Sequence, residues 1–405
     1  MAKAATLVGG SRAPLLRMLR RFDPTAFDAP ARASRVRLQV TGGDAWDAVV
    51  STRGVRLVRA AAVRPDAVIA GDLATWWEIA GDVRAGLDAY RAGRLTVRYN
   101  LHLAVGLLAA TAARQPGRLE VHLSRPRGRR ISSMEAGRGE PVLMLHGLGA
   151  TKAEFLPIIS ALAPEFRAIA VDLPGFGDAD KPLWAPYTPA FFADFAAHVL
   201  DVYGLERAHV LGHSMGGRVA LEMGMRHPDR VRSLTLITPS LAWRRARPWA
   251  PYLRLVRPEL GMLQVAPRAV IEPLVRRMIP GGNERWVAAG IDEFLRAYLD
   301  PRGRAAFYAC LRHIYLEAPE GPTGFWDRLP GIHAPALFVW GKRDRLVPLA
   351  FARHVERAIP SASHVELDCA HVPQFERPAQ LHAALLRFLS SHRMAPPRGA
   401  AAGAR

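Results

Sequence analysis

Cysteine and lysine are both scarce in this chain. Cys310 and Cys369 are the only cysteines among 405 residues, too few for a disulfide framework, and this scarcity fits a reducing cytoplasm. Only four of the 55 basic residues are lysines. The net charge of +19 comes from arginines spread throughout the sequence, and no DNA- or RNA-binding motif accompanies them. The charge therefore indicates a compositional bias and no nucleic-acid partner.

Long hydrophobic runs are also missing. The apolar segment 101–113 is too short to span a bilayer, and the first residues lack the pattern of a secretory signal peptide. Residues 12–22 interleave leucine, methionine and phenylalanine with arginine, as a basic amphipathic helix does. This segment predicts either a helix docked on the protein's own surface or a peripheral membrane contact, and its brevity favours docking.

The pentapeptide Gly-His-Ser-Met-Gly occupies residues 212–216, between an apolar run and a helix-like stretch. Its G-x-S-x-G spacing is typical of a nucleophile elbow, the sharp turn that exposes a serine hydroxyl beside a base and near oxyanion donors. Gly212 and Gly216 would let such a strained turn form. Because the same spacing also occurs by chance, other parts of the chain must decide between an elbow and an ordinary strand-to-helix connection.

Several short apolar runs predict buried parallel strands, and chemically useful residues follow them. The runs cover residues 141–145, 168–171, 208–211, 234–238 and 336–340. Asp344 lies just past the last of these strands, and His371 follows the alternating segment 363–367. Parallel sheets gather their working loops at the carboxyl ends of the strands, so Ser214, Asp344 and His371 are expected to converge.

From residue 117 to 393 the chain resembles the α/β-hydrolase fold family. The motifs that carry the resemblance occur in order: HGLG at 146–149, DLPGFG at 172–177, GHSMGG at 212–217, GKRDRLVP at 341–348 and HVP at 371–373. The resemblance implies an α/β fold, a doubly wound and mostly parallel sheet with a helical cap. It also implies a serine hydrolase of the esterase or lipase kind that needs no cofactor or metal.

The same resemblance implies a role for each matching residue. Ser214 would be the nucleophile, His371 the general base and then acid, and Asp344 the group that orients His371. The oxyanion hole would come from the backbone N–H groups of Leu148 and Met215. Serine at position 214 disfavours the dehalogenase and epoxide-hydrolase branches, which use aspartate there.

Four further residues of the predicted site are weighed against these. Asp368 and Asp180 are weaker candidates for the acid, because neither directly follows a predicted strand in the acid-loop position. His213 and His146 are expected to be supporting, hydrogen-bonded side chains. The Thr151–Glu154 spacing predicts a capping box that starts a helix after the HGLG loop.

An insertion at about residues 241–332 predicts a helical cap over the active site, because connections in this architecture usually take only ~2–6 residues. Its large apolar residues either line the pocket or form the cap's own core, and the core is favoured for any one of them. They are Trp243, Trp249, Met262, Met278, Trp286, Phe294, Phe307 and Tyr308. An apolar cap favours a hydrophobic acyl or alkyl group in the substrate.

Residues 30–113, after an N-terminal segment at 1–29, predict a smaller α+β domain. Alternating strands are expected at 35–40, 54–58 and 95–99, an apolar segment at 66–70, and helices through Trp76, at 85–90 and at 101–112. The glycine turn at Gly71, the Trp-Trp helix and the step at 92–97 resemble the sterol-carrier-protein lipid-binding fold. The alternative is an extension that only packs on the hydrolase. The tail at 394–405, rich in Pro, Gly and Ala, is predicted to be disordered.

Taken together, the sequence predicts a cytoplasmic serine hydrolase that acts on a small apolar acyl or lipid-like substrate. The scissile group would be a hydrophobic ester, a thioester or a related carbonyl compound. Two alternatives stay open: a carbon–carbon bond hydrolase with the same triad, and a lipid-binding carrier whose hydrolase domain is inactive.

Overall fold

The computed structural model describes residues 10–83, 85–243, 250–255, 257–265, 267–278 and 284–393. Within these ranges the chain forms two β-sheets, one of five strands and one of eight. The predicted disordered tail at 394–405 lies outside the described residues.

The five-stranded sheet comes from the first hundred residues. Its strands are β1 (Ser34–Val40), β2 (Ala45–Ser51), β3 (Gly54–Arg59), β4 (Ala67–Gly71) and β5 (Leu95–Arg98). They are ordered β3-β2-β1-β4-β5, with β1 parallel to β4 and the other neighbours antiparallel. The helices of this part are α1 (Arg12–Leu19), α2 (Leu73–Gly81), α3 (Ala85–Arg91) and α4 (Leu101–Ala110). All but β2 were expected from the sequence.

Strand β2 escaped prediction because a charged residue interrupts its apolar pattern. Asp47 is fully buried in β2 and faces Arg37, its cross-strand partner on β1. Arg37 Nε donates to Asp47 Oδ1 at 2.9 Å. Burial tends to raise the pKa of Asp47, but hydrogen bonds and charge from Arg37 override it and the pKa is lowered. The pairing that lets this carboxylate sit inside a sheet cannot be seen from one strand alone.

Helix α1 is docked on the protein itself. Leu15 and Met18 are fully buried and Leu19 nearly so, and the helix packs against α2 and β3. Its apolar face is thus occupied, which agrees with the docking interpretation of this segment and leaves little of that face for a membrane.

The eight-stranded sheet confirms the predicted doubly wound, mostly parallel architecture. Its strands are β6 (Glu120–Ser124), β7 (Ile131–Ala136), β8 (Glu140–Leu145), β9 (Phe166–Val171), β10 (Ala208–His213), β11 (Val231–Ile237), β12 (Ala336–Gly341) and β13 (Ser363–Leu367). They are ordered β13-β12-β11-β10-β8-β9-β7-β6, parallel from β13 to β9, with β7 and β6 joining antiparallel at one edge. The sequence missed β6 and β7, because polar residues such as His122 and Glu135 weaken their hydrophobic pattern.

Helices cover this sheet and build the cap. Those of the sheet are α5 (Leu156–Leu162), α6 (Pro189–Val202), α7 (Met215–Arg226), α12 (Ala352–Ala358), α13 (Pro373–Glu376) and α14 (Pro378–Ser391). The cap holds α8 (Arg268–Met278), α9 (Glu284–Tyr298), α10 (Pro301–Leu316) and α11 (Phe325–Arg328). Short 3₁₀ helices lie at Pro24–Ala26, Pro126–Gly128, Lys152–Phe155, Pro228–Arg230, Ala250–Arg254, Pro258–Leu263, Leu329–Gly331 and Leu349–Phe351. None of the described helices has the length and apolarity that a bilayer span requires.

Helix α4 joins the two sheets into one core. Nine of its ten residues are buried, and it packs against β4 and β5 on one side and β6 on the other. The Phe27 ring lies directly on Gly106, where a Cβ atom would overlap it. Residues 117–393 made alone would therefore expose an apolar surface that α4 normally covers, so point substitutions test this protein better than truncation does.

His102, on α4, gives the stability of this shared core a pH dependence. Burial lowers its pKa from 6.5 to about 4, and the charge of Lys152 adds to the effect. As the pH falls below 6.5 the unfolded chain takes up a proton at this position while the folded protein does not, so stability is lost. Between pH 7 and pH 5 this loss amounts to about 2 kcal/mol.

The variant His102→Leu lacks the titrating side chain. We therefore expect the wild type to lose about 2 kcal/mol more unfolding free energy than the variant between pH 7 and pH 5, as measured by urea titrations at both pH values. The same pH dependence in both proteins would contradict the assignment.

Candidate active site

Ser214 stands on a strained turn between β10 and α7. Its φ is +52°, a value that L-residues rarely adopt. Its N–H donates to Ile237 O at 3.0 Å and its carbonyl accepts from Ser240 N at 2.9 Å, so neighbouring backbone holds the turn. A Cβ atom at Gly212 would overlap the backbone of Gly216. The two glycines of the pentapeptide are therefore needed for the close packing of this turn.

The three residues expected to converge do so at the carboxyl ends of β10, β12 and β13. Ser214 Oγ lies 2.9 Å from His371 Nε2, and His371 Nδ1 lies 2.7 Å from Asp344 Oδ2. The other carboxylate oxygen of Asp344 accepts from the N–H groups of Leu346 at 2.8 Å and Val347 at 3.0 Å. These bonds hold the buried carboxylate with its second oxygen toward His371, so the three side chains form one hydrogen-bonded series.

The two weaker acid candidates have other partners. Asp368 is largely exposed and pairs with Arg343 at 3.1 Å. Asp180 Oδ2 accepts from the backbone N–H of Arg130 at 2.7 Å. Asp344 is the carboxylate that meets His371.

His213 and Glu154 form a hydrogen-bonded pair next to His371. His213 Nε2 donates to the carbonyl of His371 at 3.0 Å, and His213 Nδ1 lies 3.1 Å from Glu154 Oε2. Burial tends to lower the pKa of His213, but the charge and hydrogen bond of Glu154 outweigh it and the pKa is raised. Thr238 Oγ1 donates to the same His371 carbonyl at 3.0 Å. His371 is thus positioned through its backbone as well as through Asp344.

The expected capping box is only half formed. Thr151 caps the following turn by accepting from Ala153 N, but Glu154 turns away from the helix start. Its Oε1 accepts from Gly147 N at 3.0 Å, while its other oxygen meets His213. The carboxylate therefore links the HGLG loop to the supporting histidine, a role that the capping-box spacing concealed.

The HGLG loop lies against the serine. A Cβ atom at Gly147 would stand 3.4 Å from Ser214 Cβ, and Leu148 follows directly. His146 Nε2 accepts from Leu173 N at 2.9 Å and its Nδ1 donates to Gly147 O at 2.8 Å, so the ring is neutral and structural. Burial lowers its pKa, which agrees with that state. Met215 begins α7, where the first N–H groups have no partner within the helix.

Aromatic side chains of the cap lie over this loop. A Cβ atom at Gly149 would be 2.6 Å from the Phe294 ring and 3.4 Å from the Phe307 ring. The two rings meet edge to face at 5.6 Å between centroids, and Tyr298 stacks on Phe294 at 5.2 Å. Phe294 and Phe307 are half-buried and Tyr298 is buried behind them, so the cap has an apolar, aromatic surface beside the HGLG loop.

Other expected cap residues have different surroundings. Trp243 packs edge to face on Phe351 at 5.0 Å, and the Tyr308 hydroxyl lies 2.8 Å from that of Tyr298. Met262 is half-buried. Trp249 and the side chains of Met278 and Trp286 lie outside the described residues.

Two carboxylates of α9 attach the cap to the N-terminal sheet. Arg98 Nε, at the end of β5, donates to Asp292 Oδ2 at 2.6 Å. The Leu101 N–H donates to Glu293 Oε1 at 2.7 Å, and this satisfies one of the unpaired donors at the start of α4. Both carboxylates are buried. Phe294, whose ring lies over the HGLG loop, is the next residue of the same helix.

A buried ion pair lies under the same loop. Lys152 Nζ is 2.7 Å from Asp172 Oδ2 and 2.8 Å from Ser132 Oγ. Asp172 is the first residue of the DLPGFG motif, and Asp178, just after that motif, pairs with Arg296 of α9 at 2.7 Å. The HGLG loop, the DLPGFG turn and the cap are therefore connected by charges that the sequence motifs did not reveal.

One group of side chains has metal-ligand composition. Donor atoms of Glu120, His122 and Glu135 lie within 4.8 Å of one another at the β6–β7 edge. Arg118 already pairs with Glu120 at 3.3 Å and Arg167 with Glu135 at 2.8 Å, so a cation would compete with two arginines. The group lies three to four strands from β10 in the sheet, at the opposite side from Ser214.

Known proteins match most of this chain. A family model described as the alpha/beta hydrolase fold matches residues 140–261. A 2-hydroxy-6-oxononadienedioate/2-hydroxy-6-oxononatrienedioate hydrolase of Paraburkholderia phymatum is 30% identical over 271 residues, which cover 64% of this chain and 91% of that protein.

Two further matches differ in kind. The dihydrolipoyllysine-residue acetyltransferase component of the acetoin cleaving system of Cupriavidus necator is 30% identical over 271 residues, or 63% of this chain. The match covers 65% of that protein, so the chain spans less than two thirds of this relative. Among solved structures, a membrane phospholipase A described as a bacterial virulence factor has a TM-score of 0.56 and 28% identity, covering 68% of this chain and 87% of that one.

Proposed function

The chain belongs to the α/β-hydrolase family, and from that membership we propose a serine hydrolase that cleaves a hydrophobic ester, a thioester or a related carbonyl compound. The family confirms the predicted class of enzyme, a hydrolase. The observation that carries the finer proposal is the hydrogen-bonded series Ser214–His371–Asp344, with contacts of 2.9 and 2.7 Å.

In this proposal, the reaction proceeds through an acyl-enzyme. Ser214 Oγ attacks the substrate carbonyl while His371 Nε2 takes the hydroxyl proton, and Asp344 stabilises the imidazolium that forms. The carbonyl oxygen becomes an oxyanion, for which the N–H groups of Leu148 and Met215 are the proposed donors. His371 then protonates the leaving group. Water, deprotonated by His371, releases the acid and regenerates Ser214.

The aromatic surface of the cap supports a hydrophobic acyl group. Phe294 and Phe307 lie over Gly149, the last residue of the loop that would bind the oxyanion. An acyl chain that extends from the substrate carbonyl would therefore meet their rings. The similar solved structure of a membrane phospholipase A also favours a lipid-like substrate.

We expect the specificity constant of the full-length protein to rise with acyl length along a series of p-nitrophenyl esters, from acetate to octanoate. Phe294→Ala should lower kcat/KM for octanoate about tenfold and leave that for acetate nearly unchanged, because the ring contributes apolar contact that only a long chain reaches. Trp184→Ala, a change of a highly exposed side chain outside the cap, is the control. Equal losses on both esters would argue against a role for the ring in acyl binding.

A second candidate is carbon–carbon bond hydrolysis with the same three residues. It is favoured by the similarity to the Paraburkholderia phymatum hydrolase. A dioate substrate, however, needs cationic groups to receive its carboxylates, and Arg296, an arginine of the same cap helix as Phe294, is already engaged by Asp178 and Glu293. The ester and thioester class is therefore preferred.

For the N-terminal part we propose a domain at residues 30–113 that captures or presents an apolar ligand, after the resemblance to the sterol-carrier-protein fold. The hydrolase domain would cover 117–393 with the cap at 241–332, and the protein would act in the cytoplasm. The direct bonds from Arg98 and Leu101 to cap helix α9 support a link between the N-terminal part and the active site.

Reaction with a fluorophosphonate probe separates the enzyme from an inactive lipid carrier. We expect the full-length protein to be labelled once, on the peptide that contains Ser214, and His371→Ala to label far more slowly because the base that activates the hydroxyl is gone. A folded wild type that is never labelled would support the carrier instead.

A further inference from the structure

Exposed apolar side chains are concentrated in one stretch of the cap sequence. Eleven large apolar side chains are exposed in the described ranges, and seven of them fall between residues 252 and 274. Tyr252 is one. The other six form what we call the cap apolar surface: Leu255, Leu260, Leu263, Val265, Val270 and Leu274. Single exposed apolar residues are ordinary, but so many in one short stretch call for an explanation, and a surface that meets a partner is the usual one.

The local helices direct these side chains outward. Leu260 and Leu263 are three residues apart in the 3₁₀ helix Pro258–Leu263, a spacing that places them on one face. Val270 and Leu274 are four apart in α8, again on one face. Each short helix thus presents an apolar pair to the outside.

The inward sides of the same segments are already occupied. The buried Arg304 donates through Nε to Gly261 O at 2.6 Å, which fastens the 3₁₀ helix to α10. On α8, Val275 is buried against α9. Leu260 and Leu263 therefore lie on a segment that is fastened to α10, and Val270 and Leu274 lie on a helix that also packs against α9.

Positive charge accompanies this surface. Residues 250–278 contain five arginines and two glutamates. Arg254 and Arg257 are exposed, while Glu272 is paired with Arg268 at 2.8 Å and with Arg276 at 3.2 Å. A partner of this surface should therefore present apolar and anionic groups together.

We propose that the cap apolar surface docks on an anionic lipid bilayer. The leucines and valines would enter the boundary between headgroups and acyl chains, and Arg254 and Arg257 would meet lipid phosphates. A second copy of this chain is a poorer occupant, because two such surfaces would bring arginines of like charge together in a protein of net charge +19. Docking does not require turnover, so this proposal and the proposed function can be tested, and can fail, independently of each other.

The test is flotation of the full-length protein with vesicles of phosphatidylglycerol and phosphatidylcholine in equal parts, and with vesicles of phosphatidylcholine alone. We expect binding to the anionic vesicles that weakens with salt, and much weaker binding to the neutral ones. Leu260→Ser with Leu263→Ser should lower the partition coefficient at least about tenfold, since two apolar side chains no longer enter the lipid. The pair Val63→Ser with Trp184→Ser removes two exposed apolar side chains outside the cap and should bind like the wild type.

A second variant examines the charge. Arg254→Gln with Arg257→Gln should reduce binding to anionic vesicles and flatten its salt dependence, with the thermal midpoint of unfolding unchanged. Absence of vesicle binding by the wild type at low salt, or equal losses in the cap pair and the control pair, would overturn the proposal. If sedimentation shows a dimer that becomes a monomer in the leucine variant without any vesicle binding, the occupant is a second copy and the proposal is wrong.

Discussion

Replacing Ser214 with alanine is expected to lower kcat on p-nitrophenyl octanoate about a millionfold, close to the rate left by binding and oxyanion stabilisation alone. The reason is that the Ser214 hydroxyl, 2.9 Å from His371 Nε2, supplies the electron pair that forms the bond to the substrate, and alanine has no group that can do so. Active-site titration with a fluorophosphonate, together with steady-state hydrolysis, measures the loss and guards against traces of wild type.

The controls separate lost chemistry from lost structure. Alanine keeps a Cβ atom, so it leaves the strained backbone at φ +52° as it is, and the urea midpoint should change little. His371→Ala should lower kcat to a similar extent, and the double variant should be no worse than either single one, because residues that act as a unit are not additive. Ester turnover by Ser214→Ala within a hundredfold of the wild type would remove Ser214 from the mechanism.

The convergence of Ser214, Asp344 and His371 was predictable from sequence because each lies in a loop that follows the carboxyl end of a predicted strand. Ser214 lies more than a hundred residues before Asp344 and His371. Parallel strands nevertheless bring all three loops to one edge of the sheet, whatever the length of chain between them. That rule needs only the strand ends, which short apolar runs mark well. The same logic located the α/β sheet and its order of strand and helix.

The supporting contacts were not predictable in this way. Glu154 matched a capping-box spacing, and only the packed structure shows its carboxylate between Gly147 and His213. Asp292 and Glu293 lie on a helix whose periodicity indicated an ordinary cap element, while their partners are nearly two hundred residues earlier. Pairing over such distances depends on how the cap and the N-terminal sheet meet, and no local pattern encodes it.

The role of Lys152 could have been suspected from the amino-acid composition. In a chain with only four lysines among 55 basic residues, composition would predict arginine at a basic position, yet a lysine stands three residues after the HGLG motif. The structure gives a physical reason for the smaller head group. The ammonium is almost fully buried between Asp172 and Ser132, a space that a planar guanidinium with five donors fits poorly.

Lys152→Met is expected to destabilise the protein by about 3–5 kcal/mol at pH 7. The substitution removes the only cation in direct contact with the fully buried carboxylate of Asp172 among the described residues, and leaves that charge with backbone donors alone. In the wild type, burial tends to raise the pKa of Asp172, but Lys152 overrides it and the pKa is lowered to about 2. Urea titration of the full-length protein measures the loss.

Two comparisons make this loss specific to the ion pair. Lys152→Met with Asp172→Asn should recover much of the stability, because removing both charges is far milder than leaving one buried alone. The single variant should also regain stability relative to the wild type as the pH falls from 7 to 5. Without Lys152 the folded-state pKa of Asp172 rises above its unfolded value, so protonation then favours the folded state.

A loss below 1 kcal/mol, or a double variant no more stable than Lys152→Met, would show that the pair does not carry this energy. Because Asp178 continues the network to Arg296 of the cap, a confirmed loss would also predict that the cap loosens. The acyl-length preference should then weaken in Lys152→Met before the hydrolysis of acetate does.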